Sequence, residues 1–395
     1  MPIYLDHAAT TPPRREVLDA MGRVLEEAWG NPSSTHAFGR RARAALDEAR
    51  ESVAHDLGAD PREVVFTSGG TEAINLAIKG AAWAGKQRGH HLVTSAVEHE
   101  AVLNSMRYLE KFGFDLTVVP VDRYGRVDPD ELSAAITDRT VLVSLQYANN
   151  EVGTVQPISE LVRRARVQRH VTVHVDAVQS APWVDLDAPR LDVDLLSIAG
   201  HKLEGPQGIG ALYVRRGTTL LVQQQGGSQE RHRRAGTENV AGAAGLAQAL
   251  RLARDERVTV PARVQAMRDR LRDAVLAVPG VELTGHPRDR IPGHLSVVVR
   301  DADGQSLVLA LDLDGVACSS GSACASGSTE PSHVLTAMGY PPEEARGALR
   351  LTLGRTTTAD EIDTACRVVP TIITRVREGT AVLASNLLGQ APGGR

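Results

Sequence analysis

The sequence predicts an α/β fold in which a mostly parallel β-sheet lies between helices. Between residues 64 and 214, short apolar runs typical of strands alternate with segments whose apolar residues recur at helical spacing. From about residue 258 the pattern changes to a charged, Ala- and Arg-rich helix followed by short strands near 281–284 and 295–299. Because 395 residues suffice for more than one hydrophobic core, this change indicates a second domain.

The first element of the alternating region is a strand that leads directly into a helix. Residues 64–67 are apolar, Ser68-Gly-Gly-Thr71 follows, and apolar residues then take up helical spacing to Ala81. Unpaired amides and the dipole at a helix N-terminus bind phosphate, and glycines let the phosphate approach the backbone. Gly70 and Thr71 are therefore candidate phosphate ligands, and an ordinary N-cap role for Thr71 is compatible with this.

Polar side chains follow the next two strand-like runs: an imidazole after one and two amides after the other. His99 stands at another strand-to-helix junction, where it could stack on a cofactor ring and exchange protons with a substrate. A structural histidine is the alternative. Asn149 and Asn150 follow the apolar run 140–145, so we expect them at the same edge of the sheet.

The strand-like run 171–175 ends in Asp176, and Gln179 follows within one short turn. In open α/β sheets the carboxyl ends of strands face the ligand crevice. A carboxylate there suits the pyridine nitrogen of pyridoxal phosphate (PLP), because holding that nitrogen protonated makes the ring an electron sink. Gln179 could donate to the phenolic oxygen of the ring. A turn or capping role for Asp176 is the alternative.

A single lysine, Lys202, lies between the apolar runs 195–198 and 209–214. A lysine held between buried strands loses water and becomes a good amine nucleophile, as a Schiff base to PLP requires. Most loop lysines are simply solvated, but the nearby Asp176 favours the catalytic interpretation.

Residues 318–332 consist almost entirely of Gly, Ser, Ala and Thr around Cys324. Such a loop has few side-chain anchors, which predicts a mobile thiol able to carry reactive sulfur between sites. An incidental cysteine in a surface loop is the alternative. Cys318 follows a strand-like segment and Cys366 lies in a helical pattern, so both are predicted to be structural.

Composition narrows the class of protein. With 44 Lys and Arg against 48 Asp and Glu, the net charge of -4 suggests neither nucleic acid nor membrane as a partner. The basic run 231–234 fits an anionic pocket or a subunit contact better than RNA. Three cysteines fit a reduced cytoplasm without disulfides, and their spacing does not suggest a metal site. No apolar run approaches the ~18 residues of a membrane span.

Nine motifs occur in an order that closely resembles the NifS-like cysteine desulfurases, over about residues 3–375. They are Asp6-His-Ala-Ala-Thr-Thr11, Gly30-Asn-Pro-Ser-Ser34, Ser68-Gly-Gly-Thr-Glu72, Glu98-His-Glu-Ala-Val102, Asn149-Asn-Glu-Val-Gly153, His174-Val-Asp-Ala-Val-Gln179, Gly200-His-Lys202, Arg234-Ala-Gly-Thr-Glu-Asn239 and Ser319-Ser-Gly-Ser-Ala-Cys324. These are class V aminotransferases with PLP fold type I, and the long loop 318–332 resembles the IscS-type subgroup.

The resemblance implies a large PLP-binding domain, residues 15–257, with a seven-stranded sheet between helices. It also implies a smaller α+β domain, residues 258–395, which residues 1–14 join. A homodimer follows from it as well.

Carried over by position, the resemblance implies a role for each matching residue. Lys202 would hold PLP, and Asp176 would pair with the pyridine nitrogen. Gln179 and Asn150 would contact the side of the ring that carries the phenolic oxygen. His99 would stack on the ring and help to ionise thiols. The remaining implied contacts are Gly70, Thr71 and His201 at the phosphate, Thr237 at the phosphate of the neighbouring subunit, and Asn31 and Arg350 at the substrate carboxylate.

The implied reaction converts L-cysteine to L-alanine and leaves the sulfur on Cys324 as a persulfide. The implied partners are sulfur-acceptor proteins, such as an iron–sulfur scaffold or a tRNA-thiolation enzyme. Two alternatives stay open: a selenocysteine lyase or another PLP lyase or aminotransferase of this fold, and a non-catalytic sulfur-carrier scaffold.

The chain also departs from the family pattern. Ala199 replaces a serine whose hydroxyl would touch the phosphate, which predicts slightly weaker cofactor binding. Glu204 and Gln207 stand where an aromatic residue and a lysine are frequent. None of these changes removes a catalytic group.

Overall fold

A computed structural model describes residues 2–168, 170–321 and 331–389. Its strands are β1 (Ile3–Tyr4), β2 (Val64–Thr67), β3 (His91–Ser95), β4 (Asp115–Val119), β5 (Thr140–Gln146), β6 (Thr172–Asp176), β7 (Leu195–Ala199), β8 (Gly210–Val214), β9 (Val281–Leu283), β10 (His294–Val299), β11 (Val316–Ala317) and β12 (Ala348–Thr352). Its helices are α1 (Arg15–Glu27), α2 (Ala37–Asp56), α3 (Gly70–Gly85), α4 (Glu100–Glu110), α5 (Pro129–Ala135), α6 (Ile158–Ala165), α7 (Ala188–Leu191), α8 (Gln229–His232), α9 (Val240–Asp255), α10 (Val260–Leu276), α11 (Gly304–Leu313), α12 (His333–Ala337), α13 (Pro342–Ala345) and α14 (Ala359–Gly389).

The main sheet has seven strands in the order β2-β8-β7-β6-β5-β3-β4. The strands β7, β6, β5, β3 and β4 run parallel to one another, whereas β8 is antiparallel to both β2 and β7. Every residue of β5, β7 and β8 is buried, because helices cover both faces of the sheet. The predicted α/β class and its mostly parallel sheet are confirmed.

The smaller sheets bring the N-terminal segment next to the C-terminal part of the chain. Strand β10 pairs antiparallel with β12 and β9, and β1 pairs in parallel with β11. Ile3 and Leu5 accordingly pack in a hydrophobic cluster whose other members lie between Val264 and Ile373. Separate clusters cover the two faces of the main sheet. The domain boundaries at 15–257 and 258–395 stay a prediction.

Among the described residues, no helix is both long enough and apolar enough to cross a membrane.

Candidate active site

The carboxyl ends of β5, β6 and β7 open into one cleft. Nine residues predicted from the sequence line it: Gly70, Thr71, His99, Asn150, Asp176, Gln179, His201, Lys202 and Arg350. In a parallel sheet these strand ends meet at one edge, where adjacent loops converge. Residues separated by up to 280 positions in the sequence are thus collected at one site.

Asp176 is the last residue of β6 and is 3% exposed. Its Oδ1 accepts a hydrogen bond from the backbone N of Val178 at 2.9 Å. Burial raises the pKa of Asp176, while His99, the Val178 amide and Lys202 act in the opposite direction. A cationic partner in the cleft would favour the ionised carboxylate, as a protonated ring nitrogen does.

Lys202 ends a short 3-10 turn, residues 200–202, that follows β7. Its Nζ donates to the backbone oxygens of Ala8 and Ala9, at 2.8 Å for Ala9. The N-terminal segment therefore places the amine at the cleft. Next to it, burial lowers the pKa of His201 to about 4, with Lys202 adding to the effect. His201 is consequently neutral at neutral pH.

His99 caps the N-terminus of α4. Its Nδ1 accepts a hydrogen bond from the backbone N of Ala101 at 3.0 Å. With Nδ1 used as an acceptor, a neutral ring carries its proton on Nε2. The proton that a neutral His99 can donate is therefore on Nε2, and its stacking on a ring stays a prediction.

Arg350 is the central residue of β12 and is 1% exposed. Its Nη2 forms an ion pair with Asp6 Oδ1 at 2.9 Å, and its Nη1 donates to the backbone oxygen of Asn150 at 2.8 Å. Its Nε has no hydrogen-bond partner among the described residues. The guanidinium is therefore fixed in direction, while its predicted role toward a substrate carboxylate stays untested.

Two predicted residues do not line this cleft. Asn31 is exposed, and its Oδ1 accepts a hydrogen bond from the backbone N of Ser33 at 2.9 Å. Thr237 is exposed on the segment between α8 and α9. Neither is brought to the cleft of its own chain, so the sequence-based roles of both stay predictions.

The predicted nucleophile, Cys324, lies outside the described residues, which stop at Gly321 and resume at Pro331. The flanking residues bond to Arg350, which lines the cleft, and to Glu151, which follows a cleft residue. Ser319 exchanges two backbone hydrogen bonds with Arg350, at 3.1 and 2.7 Å. On the other side, Ser332 Oγ donates to Glu151 Oε2 at 2.5 Å, and Glu151 directly follows Asn150. The segment that carries Cys324 thus begins and ends beside residues of the cleft.

The other two cysteines are partly buried free thiols packed against the cluster of the C-terminal part. Burial raises the pKa of Cys318 to about 12, and Asp6 and Asp312 add to the effect. Burial also raises the pKa of Cys366. Both are therefore protonated at neutral pH and poor nucleophiles, which agrees with the structural roles predicted for them.

Comparison with known proteins decides the family. Residues 3–364 match the family model described as aminotransferase class-V. The chain belongs to this family.

Curated relatives of the class-V chain include two proteins named cysteine desulfurase IscS. The one from Methanosarcina thermophila is 47% identical over 375 residues, which cover 95% of this chain and 93% of the relative. The one from Dictyoglomus turgidum is 47% identical over 376 residues, which cover 95% of each protein.

Two solved structures are similar to this class-V aminotransferase. A NifS-like protein has a TM-score of 0.89 and 35% sequence identity, and the match covers 95% of this chain and 100% of that one. A cysteine desulfurase from Thermococcus onnurineus has a TM-score of 0.84 and 26% identity, covering 94% and 95% respectively. The predicted resemblance and the PLP fold type I are confirmed.

Enzymes of this class-V family depend on PLP, and PLP is the cofactor of this chain. Two observations indicate that the cleft suits PLP. Gln179 Oε1 is buried and has no hydrogen-bond partner among the described residues, so this acceptor is open to a donor group of a ligand. A Cβ on Gly70 would lie 2.8 Å from Val178 Cγ2, so only glycine leaves the start of α3 close to the cleft.

No group of three or more His, Cys, Asp or Glu side chains is placed to hold a metal ion within residues 2–168, 170–321 and 331–389.

Glu204 has a structural explanation that the sequence did not provide. Its carboxylate pairs with Arg14 at 2.5 Å and with Arg355 at 2.7 Å, and its backbone N donates to Thr11 Oγ1 at 2.7 Å. Glu204 thus ties the lysine-bearing turn to the start of α1 and to the residues after β12. Ala199 is fully buried at the end of β7, and the weaker cofactor binding expected from it stays a prediction.

Sequence analysis missed two residues of the class-V site. Gln146 lines the cleft, and its Nε2 donates to Asn150 Oδ1 at 3.1 Å. A polar residue ending the apolar run 140–145 was the available signal. Asp6 holds Arg350, and no sequence signal connects positions 344 residues apart.

Proposed function

We propose that the chain is a cysteine desulfurase, which converts L-cysteine to L-alanine and transfers the sulfur to Cys324 as a persulfide. The observation that carries the proposal is the position of Ser319 and Ser332, which anchor both ends of the Cys324 segment beside the cleft. Relatives named cysteine desulfurase IscS, 47% identical over nearly the whole chain, support the same reaction.

Bound PLP supplies an electron sink for removal of the substrate α-proton and cleavage of the carbon–sulfur bond. Lys202 would attach the cofactor and move the α-proton, because its Nζ is held at the cleft. Asp176, buried at the end of β6, would pair with the ring nitrogen and favour its protonated form. His99, whose Nδ1 accepts from the Ala101 amide, would donate from Nε2 to a substrate thiolate. Arg350 attracts the substrate carboxylate.

The sulfur transfer balances without an added oxidant. The Cys324 thiolate attacks the substrate sulfur, an S–S bond forms, and the carbon–sulfur bond breaks. Its electron pair stays with carbon, which takes up a proton and leaves as alanine. L-cysteine plus the enzyme thiol thus give L-alanine plus the enzyme persulfide.

Mass spectrometry of the enzyme after incubation with ³⁴S-labelled L-cysteine tests this proposal. We expect the peptide with Cys324 to gain one labelled sulfur, with one alanine released per persulfide in a single turnover. Selenide release from selenocysteine with no product from cysteine would instead identify a selenocysteine lyase. Absence of both alanine and PLP absorbance would identify a non-catalytic carrier.

We further propose that the enzyme is a homodimer in which Thr237 completes the cofactor site of the partner subunit. Thr237 is exposed, yet its segment is firmly attached to its own subunit. Glu230 is 4% exposed and binds both Nη atoms of Arg50 at 2.7 Å, and Arg234 binds Glu72 at 2.9 Å. A fixed segment with an exposed hydroxyl suits contact with a second copy.

Thr237→Ala is expected to weaken PLP binding roughly tenfold or more, because a hydrogen bond to a charged group contributes roughly 1.5–3 kcal/mol. Thr237→Ser, which keeps the hydroxyl, is the matched control. In a heterodimer of Thr237→Ala and Lys202→Ala chains, one site receives both lesions and the other neither. PLP titration should therefore find one site of wild-type affinity, whereas two impaired sites would show that Thr237 acts within its own chain.

The persulfide implies an acceptor protein as a further partner. Sulfur bound to one cysteine must leave before the next turnover, and an iron–sulfur scaffold or a tRNA-thiolation enzyme would accept it by thiol exchange. We propose that this occurs in the cytoplasm, where free thiols such as Cys318 and Cys366 persist.

A further inference from the structure

Glu98 is a buried carboxyl group that the reaction above does not use. It lies in the turn between β3 and α4, next to His99, and its side chain is 1% exposed. Its carboxyl group packs against the end of β5 and does not line the cleft. Acidic side chains this deeply buried are rare unless they are paired.

The hydrogen bonds to Glu98 are distributed unequally between its two oxygens. Ser95 Oγ donates to Oε1 at 2.5 Å, and the backbone N of Gln146 donates to the same atom at 2.9 Å. Oε2 is buried and has no partner among the described residues. An ionised carboxylate would leave half its charge on an oxygen without a donor, which is strongly unfavourable away from water. A carboxylic acid, with its carbonyl at Oε1, keeps both hydrogen bonds and leaves only a neutral hydroxyl unpaired at Oε2, which costs less than an unpaired charge.

Burial and the neighbouring carboxyl group of Asp176 favour the same form. Gln146 pairs in register with Asp176 on β6, which sets a second carboxyl group nearby. Burial raises the pKa of Glu98 to about 8; the hydrogen bonds from Ser95 and Gln146 act in the opposite direction, and Asp176 adds to the rise. His99 is adjacent in the chain, and from α12 His333 donates from Nε2 to the backbone oxygen of Glu98 at 3.0 Å.

We propose that Glu98 is a neutral carboxylic acid and a positioning residue. Its Oε1 fixes the end of β5 through Gln146, while its neutrality keeps a second negative charge away from Asp176. The end of β5 is in turn bonded to β6, because the backbone N of Tyr147 donates to the oxygen of Asp176 at 2.9 Å. The functional consequence rests on the proposed role of Asp176, whereas the protonation state does not.

Infrared difference spectra of the PLP-free protein, wild type minus Glu98→Gln, test the protonation state directly. At pH 6 we expect the carbonyl stretch of a protonated carboxyl group, shifted by ¹³C-glutamate labelling and lost as the pH rises through about 8. A carboxylate band at pH 6 in place of that stretch would overturn the proposal. Neither result depends on desulfurase activity, so failure of the proposed function would be recognised separately.

Thermal unfolding of the same PLP-free proteins provides a second test. When the pKa of a carboxyl group is higher in the folded state than in the unfolded state, the folded protein becomes less stable as the pH rises from the unfolded-state pKa toward the folded-state pKa. The Tm of Glu98→Gln should therefore rise relative to wild type by roughly 2 °C or more between pH 5 and pH 8. A constant difference over that range would contradict a neutral Glu98.

The positioning role is tested by PLP titration at pH 7. Glu98→Gln keeps an oxygen acceptor for Ser95 and Gln146, so its PLP affinity should stay within about twofold of wild type. Glu98→Ala leaves both donors unsatisfied and should weaken PLP binding about tenfold. If glutamine failed to restore the binding that alanine loses, the ionised carboxylate would be the required form.

Discussion

Lys202→Ala is expected to lose its covalent attachment to PLP and to reduce alanine formation by roughly 10⁴-fold, because one amine both holds the cofactor and moves the α-proton. Borohydride treatment followed by mass spectrometry should find the cofactor fixed to Lys202 in the wild type and to no residue in the variant. The sequence contains four lysines, which makes the assignment unambiguous.

Lys79 and Lys86 provide matched controls for this experiment. Lys79 Nζ lies over the ring of Tyr108, and Lys86 Nζ lies over the ring of Trp83. Neither lysine lines the cleft. Their alanine variants should keep the cofactor link and turnover. Cofactor fixed to a lysine other than Lys202 would refute the assignment.

Cys324→Ser is expected to bind PLP and L-cysteine as the wild type does, yet to form alanine at least ~100-fold more slowly, because serine cannot accept sulfur as a persulfide. Binding is checked by the change in cofactor absorbance on adding L-cysteine, and turnover by alanine formation. Normal binding together with lost sulfur transfer would show that the nucleophile is missing, whereas impaired binding would show that the site itself is damaged.

Cys318→Ser and Cys366→Ser are the matched controls for the nucleophile. Burial raises the pKa of both thiols, to about 12 for Cys318, so neither supplies a thiolate at neutral pH. Both variants should retain most of the activity. An inactive Cys318→Ser enzyme with an active Cys324→Ser enzyme would show that the wrong thiol had been chosen.

Local sequence patterns predicted the parts of the site that depend on one strand and the turn after it. Asp176, Lys202 and Gly70 each follow an apolar run, and the structure brings all three to one cleft. A parallel sheet makes this inference reliable, because every such strand ends at the same edge.

Contacts between distant parts of the chain were not predictable in this way. The ion pair of Asp6 with Arg350 depends on how β12 meets the N-terminal segment, and that packing has no periodic signal. The same holds for Glu204, whose two arginine partners come from opposite ends of the chain. Glu98 was visible only as part of a motif, since its importance lies in the unequal bonding of its two oxygens.

The attachment of the Cys324 segment beside Arg350 and Glu151 has a kinetic consequence. A thiol joined to the site at both ends reacts as an intramolecular group, with an effective concentration on the order of millimolar or higher set by the tether. Dilution of the enzyme should therefore leave the first-order rate of persulfide formation unchanged. Delivery of sulfur to an acceptor protein is bimolecular and should slow in proportion to the dilution. The concentration of the acceptor would therefore control the rate at which sulfur leaves the enzyme.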